Sequence, residues 1–298
     1  MKETRDGQPP LTLEKALAVF LDGLSGKNRS SATIRAYQTD LLQFITFLHD
    51  TNVLTTTPQD VQKVDILEYF TFLAKKDLTG VARARKMSAL REYFRYLEGV
   101  GQIAKSPTLG VETPKRERNT RQFLRPDEYT KMLSLAGANP RDYAILQVFL
   151  QTGIRVSELA HLRIQDIDLV KPSVTVRGKG KVSREIALEK KGLQALRSYL
   201  ALRPETYSDR LFLNYKGEPI SERGIRKLVV KYTKAAGITK RVSCHTLRHT
   251  FATYKAERGV SPFQLQQWLG HANLNTTQIY VHLGKQNAKK VMEQTSLA

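Results

Sequence analysis

The sequence predicts a mainly α-helical protein with a small β-sheet, divided into an all-helical N-terminal part and an α+β C-terminal part. Four stretches before residue 100 repeat apolar residues at spacings of three and four. Residues 106–122, SPTLGVETPKRERNTRQ, combine two prolines, a glycine and a basic cluster with little apolar period. Two short alternating stretches, 173–177 and 184–188, flank a turn rich in glycine and lysine and lie among further helical patterns.

Residues 1–10 are polar, include Pro9 and Pro10, and read as a flexible tail. The first helical part is expected over 11–105. Within it, 12–23 places Leu13, Leu17 and Phe20 on one face. Residues 31–49 repeat the pattern with Ile34, Tyr37, Leu41, Phe44 and Leu48, behind a Ser30-Ser31 start signal. Residues 61–76 offer Val64, Leu67 and Phe70, with Ile66 and Leu73 widening the stripe. Residues 81–98 offer Met87, Leu90, Phe94 and Leu97, with Arg85, Arg91 and Arg95 off that stripe, either as a solvated face or as phosphate contacts. These stripes read as the core of a small helical bundle.

Residues 106–122 read as a basic interdomain linker, and 123–283 as the second domain. Helices are expected over 126–137 and 140–152, the latter carrying Ile145, Leu146, Val148 and Phe149. Gly153 is placed to end that helix, and Ser157 to cap a short one through about Leu162. Beyond the two strands, helices are expected near 190–202, 221–236, 245–258, 261–269 and 274–283, followed by a weakly apolar tail, 284–298.

The net charge is +20 over 298 residues, and it is unevenly spread. Residues 1–112 hold 15 Lys and Arg against 13 Asp and Glu, 113–122 hold 4 against 1, and 123–298 hold 29 against 14. Such a field attracts polyanions, with nucleic acid the leading candidate. A membrane partner would need an apolar run of about 20 residues, a basic amphipathic helix or a lipidation signal, and none is found. The N-terminus lacks an apolar signal core, and the single cysteine, Cys244, excludes an intramolecular disulfide framework. A cytoplasmic location is the expectation.

Four separated stretches hold residue types suited to cutting a phosphodiester: Thr-Gly-Ile-Arg at Arg155, Gly-Lys-Gly at Lys179, His245-Thr-Leu-Arg248-His249, and Gly270-His271 followed by Tyr280. Such cleavage needs charge stabilisation at phosphorus, a nucleophile, and a proton for the departing oxygen. Arginine meets the first need with a planar fork that stays charged. Arg248 follows His245 by three residues, so on a helix the two share nearly one face. Against this stands a structural ion pair, and Glu158 is near enough in sequence to offer one to Arg155.

Lys179, between Gly178 and Gly180, could donate a proton to a leaving oxygen or be an ordinary turn lysine. Arg177, Lys181 and Arg184 read as groove or phosphate contacts, as do Lys115, Arg116 and Arg118 of the linker and Arg241 ahead of His245. The turn is not a nucleotide-binding P-loop, because the required glycine and Ser/Thr positions are absent. His245 and His249 have the spacing of a zinc helix, but the protease glutamate is missing and Arg248 stands between them, so no metal is expected. A phenol of ordinary pKa, about 10, attacks poorly at neutral pH, but cations around Tyr280 would favour its ionised form. A phosphotyrosine link would conserve the energy of the original bond, so no cofactor is expected.

The residues quoted resemble the tyrosine recombinase (phage integrase) family, in particular its short, Xer-like members, from about residue 12 to residue 285. The N-terminal match is a loose helical pattern, Thr33-Ile-Arg-Ala-Tyr37 with Asp40, Leu41 and Phe44, then Leu90-Arg-Glu-Tyr-Phe94-Arg-Tyr-Leu97. The C-terminal match is specific: Thr152-Gly-Ile-Arg-Val-Ser-Glu-Leu159, Gly178-Lys-Gly180, His245-Thr-Leu-Arg-His-Thr-Phe-Ala252, and Leu269-Gly-His271 with Tyr280.

The resemblance implies a SAM-like helical core-binding domain and a catalytic domain that close around duplex DNA. Arg155 and Arg248 would clamp the scissile phosphate, Lys179 would act as general acid, and His245 and His271 would contact the phosphate. His245 would also take part in proton transfer, and Tyr280 would form a 3′-phosphotyrosine. It further implies a homo-tetramer on two DNA sites, a Holliday junction intermediate, and docking of 284–298 on a neighbouring protomer. A second recombinase or accessory protein is left open as a partner. Cys244 stands where many relatives carry proline, and residues 1–10 are too short for the arm-binding domain of larger integrases. Two other readings share these features: a DNA-binding architectural protein of the same fold, and a relaxing topoisomerase acting as a monomer.

Overall fold

The computed structural model describes residues 11–52, 54–115, 122–178 and 183–270. The chain forms two compact units, Met1–Asn119 and Thr120–Ala298.

The described residues of the first unit form four helices: α1 (Leu13–Gly26), α2 (Ser31–Thr51), α3 (Lys63–Lys75) and α4 (Gly80–Gly99). Side-chain oxygens start three of them, with Thr12, Ser30 and Thr79 accepting from the amides of Lys15, Thr33 and Ala82. At α3, Asp65 reaches back to the Gln62 amide over 2.7 Å. Phe20 anchors the core, its ring meeting Tyr37, Tyr93 and Tyr96 edge-on.

The apolar face of α3 differs from the one expected. Val64 and Leu67 are 51% and 48% exposed, and the buried residues are Ile66, Tyr69, Phe70 and Leu73. Tyr69 decides the rotation, because its ring packs against Phe44 and Phe47. Its hydroxyl and that of Tyr93 are buried without a hydrogen-bond partner. Ile103 and Val111 also enter this core, and Arg91 donates to the Val111 carbonyl, so residues up to Val111 pack with the bundle.

The second unit begins with α5 (Pro126–Ala136) and α6 (Pro140–Thr152). Residues Ala144 to Phe149 of α6 are all buried, which explains an apolar run too wide for a single stripe. Gly153 ends α6 in the left-handed region at φ 60°, its amide donating to Phe149 over 2.9 Å. A Cβ there would lie 2.3 Å from the Phe251 ring, so both the turn and the packing require glycine.

The next helix, α7 (Val156–His161), starts two residues earlier than a Ser157 cap would place it. Arg155 is the cap position, and Glu158 rather than Ser157 closes the first turn by accepting the Arg155 amide. A 3₁₀ turn at Ile164–Asp166 then leads into an antiparallel sheet of β1 (Ile167–Asp168), β2 (Ser173–Arg177) and β3 (Ser183–Ala187). Strand β2 pairs Val174 with Ile186 and Val176 with Arg184. The two-residue β1 is too short to show an alternating pattern and was not expected.

Helices α8 (Lys190–Leu202), α9 (Glu222–Ala235), α10 (Cys244–Glu257) and α11 (Pro262–Leu269) complete the described part. The stretch expected to be helical at 274–283, and the tail 284–298, lie outside the described residues. No helix among the described residues is long and apolar enough to cross a membrane.

Candidate active site

Three helix ends and one strand meet at the exit of α11. Gly270 follows that helix in the left-handed region, at φ 62°. The three carbonyls preceding and including it are each met by an arginine. Arg184 Nε donates to Trp268 over 2.7 Å, Arg248 Nη2 to Leu269 over 2.6 Å, and Arg155 Nη2 to Gly270 over 2.9 Å. The last carbonyls of a helix lack partners within it and carry partial negative charge, so guanidinium groups satisfy them well.

Arg155 and Arg248 therefore converge, although 93 positions separate them in the chain. Arg248 is 4% exposed and also donates from Nη1 to the Gly153 carbonyl over 2.7 Å. It thus joins the end of α6 to the end of α11. Arg155 is more open, with 43% of its side chain exposed. Its Nη1 donates to Glu158 Oε1 over 3.0 Å.

Glu158 is the hub of the charges. Its carboxylate accepts both terminal nitrogens of Arg184, at 3.1 and 2.8 Å, besides the side chain and backbone amide of Arg155. Burial alone would raise the pKa of this carboxyl. The hydrogen bonds from Arg184 and the Arg155 amide, with the two guanidinium charges, hold it below the usual carboxylate value. The ion pair between Arg155 and Glu158 is the one their spacing of three residues offers, and the same carboxylate also caps the Arg155 amide.

His245 lies exposed in the first turn of α10, one turn before Arg248. Its ring stands edge-on to that of His249, with centroids 5.3 Å apart. The α10 start is fixed by Ser243, which accepts the Thr246 amide. Cys244 is buried just inside this helix, and burial pushes its thiol up to about 11, against smaller lowering by Arg226.

A cleft borders the α11 exit, lined among others by Arg155, Glu158, His161, Arg177, Phe263 and Gly270. Arg177 stands at the end of β2 and is held by Asp166 over 3.1 Å while over half exposed. Arg184, expected at a DNA groove, is instead turned inward onto Glu158 and Trp268 and is only 13% exposed. Arg241 is exposed ahead of α10. Lys179, Lys181, His271 and Tyr280 lie outside the described residues, as do Arg116 and Arg118.

In the first unit, the α4 arginines differ in their ties. Arg85 donates to Asp40 over 2.7 Å, and the buried Lys86 meets the same carboxylate over 2.8 Å. Arg91 is held by Thr113 over 2.7 Å and by Val111. Arg95 is 73% exposed and meets Glu92 over 3.0 Å. Lys115 is exposed. The charge pattern of the sequence did not reveal Lys86 as a buried partner, since a lysine between arginines reads as surface.

Residues 122–287 match the phage integrase family, and residues 17–99 match the family's N-terminal SAM-like domain. The tyrosine recombinase XerD of Listeria innocua serovar 6a is 34% identical over 278 residues, covering 90% of this chain and 93% of the relative. The crystal structure of XerA recombinase matches 96% of this chain and 99% of its own, at 30% identity and a TM-score of 0.53. A lambda integrase tetramer bound to a Holliday junction matches 92% of this chain and 78% of its own, with a TM-score of 0.76 and 20% identity. The chain belongs to the phage integrase family. Within it, the protein is a site-specific tyrosine recombinase, a DNA strand transferase of the Xer type.

Proposed function

We propose that this recombinase cleaves and rejoins duplex DNA at the cleft beside Gly270, with Arg155 and Arg248 as the phosphate clamp and Tyr280 as the nucleophile. The convergence of those two guanidinium groups on adjacent carbonyls supports the reading most directly. Two guanidinium charges held on adjacent carbonyls of one helix end would bias the space beside Arg155 toward an anion such as a phosphate oxygen.

In the reaction, the Tyr280 phenolate attacks phosphorus and displaces the 5′ oxygen, which takes a proton from Lys179. A 3′-phosphotyrosine bond replaces the phosphodiester, so energy is conserved and no nucleotide is consumed. Arg155, Arg248, His245 and His271 balance the negative charge that builds on the oxygens. Attack by the free 5′-hydroxyl of a partner strand reverses the step and completes the exchange.

The excess of positive charge in 123–298 supports duplex DNA as the partner, as do Arg177, Arg241, Arg95 and Lys115 on exposed surface. The likeness to XerD and XerA favours an Xer-type resolvase over a mobile-element integrase. A lambda integrase tetramer bound to a Holliday junction supports four protomers as the working assembly.

The test is covalent capture. Purified protein incubated with a nicked recombination site in the presence of a metal chelator should become linked to DNA through Tyr280. Tyr280→Phe should leave binding intact and form no adduct. An adduct that persists in that variant, or one that requires Mg²⁺, refutes the assignment.

A further inference from the structure

Two of the three arginines at the α11 exit have a part in the proposed phosphate chemistry. The third, Arg184, has none. We infer that Arg184 is a positioning residue for Arg155, acting through Glu158, and that the same guanidinium fixes the helix end from which His271 follows. The inference rests on the recombinase reading of this site.

The geometry restricts what Arg184 can do. Its two terminal nitrogens meet the two oxygens of Glu158, and its Nε is taken by the Trp268 carbonyl. This is a fork-on-fork pairing that a lysine cannot reproduce, because an ammonium is a single point of charge. Glu158, so held, presents Oε1 to Arg155 Nη1 and Oε2 to the Arg155 amide. The catalytic arginine is therefore aimed by a carboxylate that is itself aimed.

The backbone of Arg184 is equally fixed. Its partner across the sheet is Val176, and Lys179 falls in sequence between the two paired strands. One side chain thus ties together the strand pair flanking Lys179, the helix start that carries Arg155, and the residue preceding His271. Gly270 carries a separate mark of this arrangement. A Cβ at that position would lie 2.9 Å from Arg184 Nη1 and 3.1 Å from Cζ, so any other residue would displace the guanidinium.

A full-length Arg184→Gln variant separates this role from a DNA contact. Against a random-sequence duplex, the salt dependence of binding should match wild type, whereas a phosphate contact would lower the slope of log K against log salt by about one. Amide hydrogen exchange at residues 266–270 should rise by about tenfold or more as the helix end is released. At saturating nicked site, the rate constant for adduct formation should fall about 10- to 100-fold with the half-saturating DNA concentration unchanged. Arg184→Lys should fail to rescue either quantity.

In the single variant the buried Glu158 would keep Arg155 but lose its second guanidinium partner, so Arg184→Gln with Glu158→Gln supplies a chain without that half-compensated charge. It should fold and cleave as slowly as the single variant. Wild-type exchange rates in Arg184→Gln, a slope lowered by one, or full cleavage by Arg184→Lys would each overturn the inference. If wild-type protein forms no adduct while exchange still rises in Arg184→Gln, the recombinase reading fails and the clamp stands.

Discussion

The guanidinium of Arg248 donates to the carbonyl of Gly153 over 2.7 Å, closing a gap of 95 positions between a helix core residue and a helix-ending glycine. Because Gly153 is left-handed, its carbonyl turns away from the α6 axis and toward the arginine. Arg248 therefore has a structural duty besides any phosphate duty. Arg248→Ala should abolish adduct formation and also lower the unfolding free energy by about 1.5–3 kcal/mol, the range for hydrogen bonds to a charged group. Urea unfolding beside the capture assay checks both halves.

Gly153→Ala should destabilise the second unit by more than the roughly 1–2 kcal/mol that a left-handed residue costs by itself. The added Cβ would stand 2.3 Å from the Phe251 ring, so that buried side chain must move as well. Phe251→Leu in the same chain should recover part of the loss. Equal stability of Gly153→Ala and wild type in urea would contradict this packing.

The carboxyl of Glu158 has its pKa lowered in the folded state, so its contribution to stability is complete above the ordinary value of 4.5 and declines as pH falls through the lower folded value. Unfolding free energy measured from pH 7 downward should show this loss only on the acid side of that ordinary value. In Glu158→Gln the corresponding segment of the profile should flatten.

Cys244 should resist alkylation in the native protein at pH 8, because burial raises its thiol to about 11 and little thiolate is present. Complete reaction should follow denaturation. Rapid labelling of the folded chain would show that the start of α10 opens readily.

Arg95 offers the cleanest test of the first unit as a DNA surface, since it is the most open of the three α4 arginines named from the sequence. Arg95→Gln should weaken duplex binding without altering stability and should reduce the salt slope by about one. Arg91→Gln should instead lower stability, because its guanidinium holds Val111 and Thr113.

Helix positions were legible because apolar spacing reports which face must leave water, and the ends of α6 and α11 were legible because glycine is the residue best suited to a left-handed exit. Face assignment failed at α3, where Val64 and Leu67 fitted the three-residue spacing but Tyr69 filled the space among the aromatic rings. Periodicity counts apolar side chains and does not weigh ring volume. The short β1 had no length in which a pattern could develop. At the site, Arg155, His245 and Arg248 were marked by local motifs. Arg184 looked like its neighbours on a basic hairpin, and only the fold brings Glu158 within reach of both its terminal nitrogens.

The burial of tyrosine rings in both units has a chemical corollary. Removal from water raises the pKa of Tyr69, Tyr93, Tyr129, Tyr199 and Tyr232 above the ordinary phenol value, with nearby charges adding to or trimming that effect. In a chain of 12 tyrosines, these five are kept protonated and silent across the physiological range. Their hydroxyls ionise less readily than that of an exposed phenol, so reagents that need the phenolate should modify them more slowly while the protein stays folded.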